Sequence, residues 1–274
     1  MRLGLLGFGN IAVALLEQLS TAVELPLEHL SVLCLPEMVE DARDRLSRDF
    51  PAVSKTVLVG TDTRTLLSAK LDLVVECAGH GAVATHVPLL LRAGVDVILA
   101  SVGALSDPEL DAVLRAAARQ GGSRLILTTG AIGGVDLLSA IAAAGGLEVT
   151  YRGSKPPVAW QGTDAERVVD LKSVSQPTRF FAGTAREAAM AYPRNANVAA
   201  TLALAGAGFD ATRVELIADP QASGNVHEYA VTSPIARFSI RIENLPSKAN
   251  AKTSVSTVYS ILREIRNRVS PVAI

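Results

Sequence analysis

The chain has 274 residues, of which 49% are hydrophobic and 19% charged, with a formal net charge of −1. That length supports one large or two modest domains with a substantial core. A near-neutral balance without a basic run, and only 4% aromatic residues, leave no electrostatic or stacking footing for nucleic acid.

The opening segment, RLGLLGFGNIAVALLEQLS, reads as strand, tight turn and helix. In GFGNIA, Gly7, Gly9 and Ala12 fill a G-x-G-x-x-G/A pattern after a strand and at the start of a helix, the context a dinucleotide fingerprint requires. Gly7 makes the turn, Gly9 lets a pyrophosphate approach the N–H groups at the helix start, and Ala12 permits close packing. Asn10 and Ile11 complete the expected phosphate turn. LSVLCL is a second strand, with Cys34 and Leu35 where an acid for the ribose is expected and Glu37 slightly late. NAD use with tolerance of NADP follows. Arg43 and Arg45, on the exposed helix EDARDRLSRDF, are solvated charges or partners for a 2′-phosphate.

LDLVVECAG is a buried strand, and GAVATHVPLLLRAG a helix capped at Gly94. VDVILAS is the next strand. SDPELDAVLRAAARQGG is a helix with Asp107 as N-cap, Pro108 first and Gly121 beyond the end. RLILTTGA is another strand. This alternation predicts an α/β fold with a Rossmann-type, doubly wound parallel sheet. Ligands of such sheets sit at the carboxyl ends of the strands, which brings Cys77, Ala78, Gly79, His80, Ser101 and Val102 to the cofactor. Glu76 lies at the same strand end. His80 either touches the nicotinamide or only starts a helix; His86 reads as structural and His29 as a surface residue.

The rhythm then changes. A helix from Gly134 to about Ala144 precedes LEVTYRGSKPP, a strand and loop. Two short helices start with capping-box patterns, Thr163 to Glu166 and Thr184 to Glu187. NANVAATLALAGAG is a small-residue helix. TRVELIAD, NVHEYAVTS and IARFSIRIEN read as successive strands of a largely antiparallel sheet with one polar face. Alternation puts Asn225, His227 and Tyr229 on one face, a polar set suited to lining a cleft. NAKTSVSTVYSILREIRNR is a final amphipathic helix. The expected domains are 1–132 for the dinucleotide, an inserted α+β substrate domain at 133–246, and a helix at 247–274 packing back on the first.

Cys34 and Cys77 stand far apart in apolar runs, so reduced thiols are expected, with neither disulfide framework nor metal site. The N-terminal apolar run is broken by glycines and is not a signal peptide. Residues 132–149 hold Asp136, Glu148 and four glycines, more like a buried helix than a membrane span. A soluble, cytoplasmic protein is the default.

ECAGHGAVATHVPLLLRAGVDVILASVGAL, TTGAIGGVDLL, GSKPPVAWQGT, GTAREAAMAYPRNANVAATLALAG, ADPQASGNVHEY and NAKTS together resemble the L-aspartate dehydrogenase family nearly end to end. The resemblance implies NAD- or NADP-dependent oxidative deamination of L-aspartate to iminoaspartate, which hydrolyses to oxaloacetate and ammonia or feeds NAD biosynthesis. It also implies a homodimer. By resemblance His227, in the G-N-x-H motif, is the active-site residue, and Ala131 and Asn197 are cofactor contacts. Ala12 departs from a pattern that often has glycine there.

The chemistry fits. Hydride transfer belongs to the cofactor, while the amine must lose a proton. Unperturbed histidine titrates at about 6.5, so a general base at His227 is one reading. The other is a residue that holds a carboxylate or water. Two substrate carboxylates need cations or N–H donors, for which Lys155, Lys252 and Thr253 are candidates. Asn195 and Asn225 join the substrate set; Asn195 and Asn197 read equally as helix caps. Trp160 either shields the site or packs. The alternatives are another two-domain reductase, of the dihydrodipicolinate or homoserine type, and an NAD-binding sensor, which would not need His227.

Overall fold

A computed structural model describes residues 1–22, 25–193, 195–245 and 255–273. The chain divides into two compact units, Met1–Thr128 with Thr257–Ile274, and Thr129–Ser256.

The first unit alternates strands and helices: β1 Arg2–Leu6, α1 Asn10–Thr21, β2 His29–Leu33, α2 Val39–Asp49, β3 Val57–Gly60, α3 Thr63–Leu67, β4 Leu73–Glu76, α4 His80–Arg92, β5 Asp96–Leu99, α5 Pro108–Gly121 and β6 Leu125–Leu127. The strands pair in parallel in the order β3-β2-β1-β4-β5-β6. The order reverses between β1 and β4, the switch point at which such sheets bind ligands. Every residue of β4 and β5 is buried, so both read as unbroken runs rather than alternating ones.

Helix α1 sinks Ala12, Leu15, Leu16 and Leu19 into the core at helical spacing. Helix α9, Val255–Val269, adds Val258, Ile261, Leu262 and Ile265 to the same core. Its Arg268 reaches Asp96 of β5 at 2.5 Å, and Arg124 shares that carboxylate at 3.3 Å. Asp107 caps α5 by accepting from the N–H groups of Glu109 and Leu110. Gly121 is the last helical residue, and the left-handed stop falls one residue later, at Gly122 with φ 63°. Strand β3 has no counterpart among the predicted elements; it is an edge strand with Val57 and Leu58 exposed.

The second unit holds α6 Val135–Ala142, β7 Glu148–Lys155, β8 Thr178–Thr184, α7 Ala185–Ala191, α8 Asn197–Ala205, β9 Arg213–Ala218, β10 Asn225–Thr232 and β11 Arg237–Asn244. The sheet order is β11-β10-β7-β9-β8, with β7 and β9 parallel and the other pairs antiparallel. Thus β9 and β10 are consecutive in sequence but not neighbours, because β7 lies between them. Parallel pairing of β7 and β9 needs a long crossover, which the segment carrying β8, α7 and α8 supplies. Strand β8 was not among the expected elements. Thr184 and Glu187 make the full capping box, whereas Thr163 accepts from Ala165 N and starts only a 3-10 turn, Asp164–Arg167. One sheet face is polar: Glu215 joins Arg152 and Arg179, and Arg241 joins Glu228 and Glu243. The other carries buried Val149, Tyr151, Val214, Leu216, Tyr229 and Val231.

Candidate active site

In the first unit a cavity of about 480 Å³ opens at the carboxyl ends of β1, β2 and β4. Gly7, Gly9, Cys77, Ala78, Gly79 and His80 line it, as the sequence predicts. Gly7 has φ 106°, and a Cβ there would meet that of Ala78 at 2.9 Å, so only glycine lets the β1 and β4 turns approach. At Gly9 a Cβ would meet nothing within 4 Å. Gly9 and Gly79 are the N-caps of α1 and α4, with no side-chain cap and no acid in either first turn. Two helix starts therefore turn their positive ends to one cavity, the N–H of the α4 cap Gly79 itself being held by Glu76, which fits the pyrophosphate of a dinucleotide. Asn10 is exposed and Ile11 half-buried in the first turn of α1; Ala12 is fully buried under it. Ser101 and Val102 are buried, and neither lines the cavity.

At the end of β2 the cavity is lined by Cys34, Leu35, Pro36 and Met38, with no carboxylate in the ribose position. Arg43 pairs with Glu40 at 2.8 Å, and Arg45 lies over the Phe8 ring at 5.8 Å. His80 opens α4, and His86 also lines the cavity while bonding Thr63 Oγ1 through Nδ1 at 2.8 Å. His29 is half-buried rather than a free surface residue, held by Thr56 and Ser31 at 2.8 Å each. Burial raises the Cys34 and Cys77 thiols, and both cysteines are free.

Sequence reasoning gave Glu76 no role beyond its position. Its carboxylate is fully buried and accepts from Ala78 N, Gly79 N, Ser101 N and Ser101 Oγ at 2.8–2.9 Å. It ties the loop after β4 to the loop after β5, and burial raises its pKa against those four bonds. This explains why Ser101 is buried rather than facing the cavity.

The substrate candidates of the second unit gather on the buried face of its sheet. His227 is 4% exposed and Tyr229 1%, so this part of the Asn225, His227, Tyr229 face is packed rather than an open cleft wall. Tyr229 donates to Gly133 O at 2.6 Å, and Asn244 Nδ2 donates to Ala131 O at 3.1 Å. Together they pin the GAIGG loop that carries Ala131. Asn225 is half-buried at the start of β10. Asn197 is the first residue of α8 and not its cap, which is Ala196.

Lys155, at the end of β7, donates to Asn195 Oδ1 at 2.5 Å and lies 5.0 Å from the centre of the Trp160 ring. Trp160 is fully buried and donates to Ile217 O at 3.0 Å, so it packs under the lysine. Desolvation of the ammonium lowers its pKa to about 8. Lys252 and Thr253 lie outside the described residues.

His227 Nδ1 bonds the hydroxyl of Tyr151 at 2.8 Å. Its Nε2 is buried and has no partner among the described residues. Burial, then the Lys155 ammonium, lowers the imidazole to about 3. The free protein thus holds a neutral imidazole, not the group titrating near 6.5 that the sequence suggests. The contact with Tyr151 was not foreseen from the sequence. Tyr151 reads as an ordinary aromatic strand residue until β7 and β10 are known to pair. Among the described residues no cluster of His, Cys, Asp and Glu is arranged to hold a metal, and no helix is long and apolar enough to cross a membrane.

Comparison with known proteins matches residues 136–268 to the family model described as aspartate dehydrogenase, C-terminal, and residues 7–128 to homoserine dehydrogenase, NAD binding domain. The L-aspartate dehydrogenase of Ruegeria pomeroyi is 46% identical over 98% of this chain and 92% of its own length. That of Pseudomonas aeruginosa is 43% identical over 98% of each. The crystal structure of aspartate dehydrogenase from Thermotoga maritima superposes with a TM-score of 0.75 at 28% identity, covering 100% of this chain and 99% of that one. An amine dehydrogenase from Mycobacterium smegmatis, at 14% identity and a TM-score of 0.57, shares the fold.

Proposed function

The chain belongs to the L-aspartate dehydrogenase family and oxidises L-aspartate with NAD(P) as cofactor; from that premise we propose that His227 is the residue that acts on the substrate, through Nε2. The observation that supports this is a buried imidazole nitrogen without a partner among the described residues, on the same sheet face as Lys155. An unsatisfied buried polar atom costs about 1–3 kcal/mol, so its persistence calls for an explanation, and a partner supplied by the substrate is the one proposed for Nε2.

When bound, the nicotinamide accepts the hydride from Cα. The chain's own residues bind and orient. The starts of α1 and α4 receive the pyrophosphate, with Gly7, Gly9, Ala78 and Gly79 leaving room for it. Lys155, steadied by Asn195, meets a substrate carboxylate, and Asn225 lies at the edge of the same group. Ala131 and Asn197 belong to the cofactor set by the family motif. The product is iminoaspartate, released to hydrolysis or to NAD biosynthesis. We also propose that the enzyme acts in the cytoplasm as a homodimer, which sedimentation of the purified chain tests.

His227→Ala is the decisive substitution. It is expected to lower turnover by at least ~100-fold while the affinity for NADH stays within about twofold. Unchanged turnover removes His227 from the reaction.

A further inference from the structure

Tyr151 and His227 form a closed pair whose geometry depends on a missing side chain. Gly153 stands opposite His227 across the β7–β10 ladder. A Cβ on Gly153 would lie 2.6 Å from the Tyr151 hydroxyl. Without it, the Tyr151 ring extends along the same sheet face and reaches Nδ1 at 2.8 Å, the two rings stacked at 20° with centres 6.0 Å apart. Both residues are buried, at 1% and 4% exposure.

The phenol brings one hydrogen to this pair and the neutral imidazole brings one. Among the described residues the hydroxyl bonds only Nδ1, and Nε2 bonds nothing. If the phenol donates, its hydrogen and the Nδ1 lone pair are both satisfied, and only the Nε2–H is left over. If Nδ1–H donates instead, the phenol hydrogen and the Nε2 lone pair are both stranded. A second buried unpaired group disfavours that arrangement by roughly tenfold or more. A phenolate is excluded, because burial raises the Tyr151 pKa.

We propose that Tyr151 is a positioning residue for the reaction: its hydroxyl donates to Nδ1 of His227 and fixes the neutral imidazole with its proton on Nε2. The hydrogen bond at one ring nitrogen dictates what the other presents. His227 then meets the substrate as a hydrogen-bond donor, suited to a carboxylate or to the oxygen of water, and not as a proton acceptor at Nε2. Of the two roles open in the sequence, this selects the holding one. It rests on the reading that Nε2 faces the substrate.

The test is a two-bond ¹H–¹⁵N correlation spectrum of the full chain labelled with ¹⁵N-histidine, which has four histidines to resolve. His227→Asn identifies the signal. The expected wild-type pattern is a protonated Nε2 and a lone-pair Nδ1, unchanged between pH 6 and 8. Tyr151→Phe removes the donor, and Gly153→Ala displaces it while keeping both rings. Each should move the His227 signals toward a mixture of tautomers and lower kcat by ~10- to 100-fold, with NADH affinity kept. A wild-type spectrum with the proton on Nδ1 overturns the proposal, and a loss of turnover in His227→Ala would still stand beside it. Tautomers or turnover unmoved by both variants overturn it too.

Discussion

Replacing His227 by Asn should flatten part of the acid limb of the stability curve. The imidazole has an ordinary value of 6.5 and is lowered to about 3 in the fold by burial and by Lys155. Between those values the unfolded chain binds the proton and the folded chain does not. Stability therefore falls as pH drops through 6.5, and continues to fall towards 3. Working the binding polynomials with these two values gives a loss of about 2 kcal/mol between pH 7 and pH 5 from this one group. The carboxyamide does not titrate, and its oxygen stands in for Nδ1 towards Tyr151. Urea unfolding of both proteins at pH 7, 6 and 5, without cofactor, isolates the effect, since all other groups cancel in the difference. The stability advantage of wild type over variant should shrink by about 2 kcal/mol across that range. A difference independent of pH refutes the reasoning, because it means that His227 titrates in the fold as it does in the unfolded chain.

The two fingerprint glycines should fail differently. Gly7→Ala meets both a left-handed backbone and the Ala78 Cβ, and should cost about 2–4 kcal/mol by thermal or urea unfolding. Gly9→Val, with φ −95° and open space, should keep the stability within roughly 0.5 kcal/mol yet weaken NADH binding by fluorescence titration. Lys155→Met should weaken competitive inhibition by succinate by about 1.5–3 kcal/mol, or roughly 10- to 150-fold. In the unsubstituted protein that Ki should rise as pH passes about 8, where the ammonium is lost, and in Lys155→Met it should not. Leu35→Asp places a carboxylate at the cavity edge after β2, and should lower kcat/KM with NADPH relative to NADH by at least ~10-fold.

Local signals carried the sequence a long way. GFGNIA sits after a strand and before a helix, and Asp107 and Thr184 cap the helices their spacing predicts. Each is decided by a few adjacent residues, so no tertiary information is needed. The unbroken runs of β4 and β5 likewise announce strands covered on both faces. What failed depended on pairing between distant segments. Nothing in TRVELIAD or NVHEYAVTS says that β7 will separate them. The edge strands β3 and β8 are only partly buried, with one buried residue each, which weakens their period-two pattern. Tyr151, 76 residues from His227 in the chain, becomes its partner only through the β7–β10 register and the gap at Gly153. The family motif singled out the histidine but said nothing of its charge state, because burial and Lys155 act through the fold.

L-Aspartate dehydrogenase activity is tested most directly by NADH consumption by the purified enzyme with oxaloacetate and ammonia supplied together. Dihydrodipicolinate and aspartate semialdehyde serve as control substrates in parallel. The expected result is NADH loss that requires both oxaloacetate and ammonia, is absent with either control, and falls by at least ~100-fold in His227→Ala. NADH loss with a control substrate but not with oxaloacetate and ammonia would contradict it.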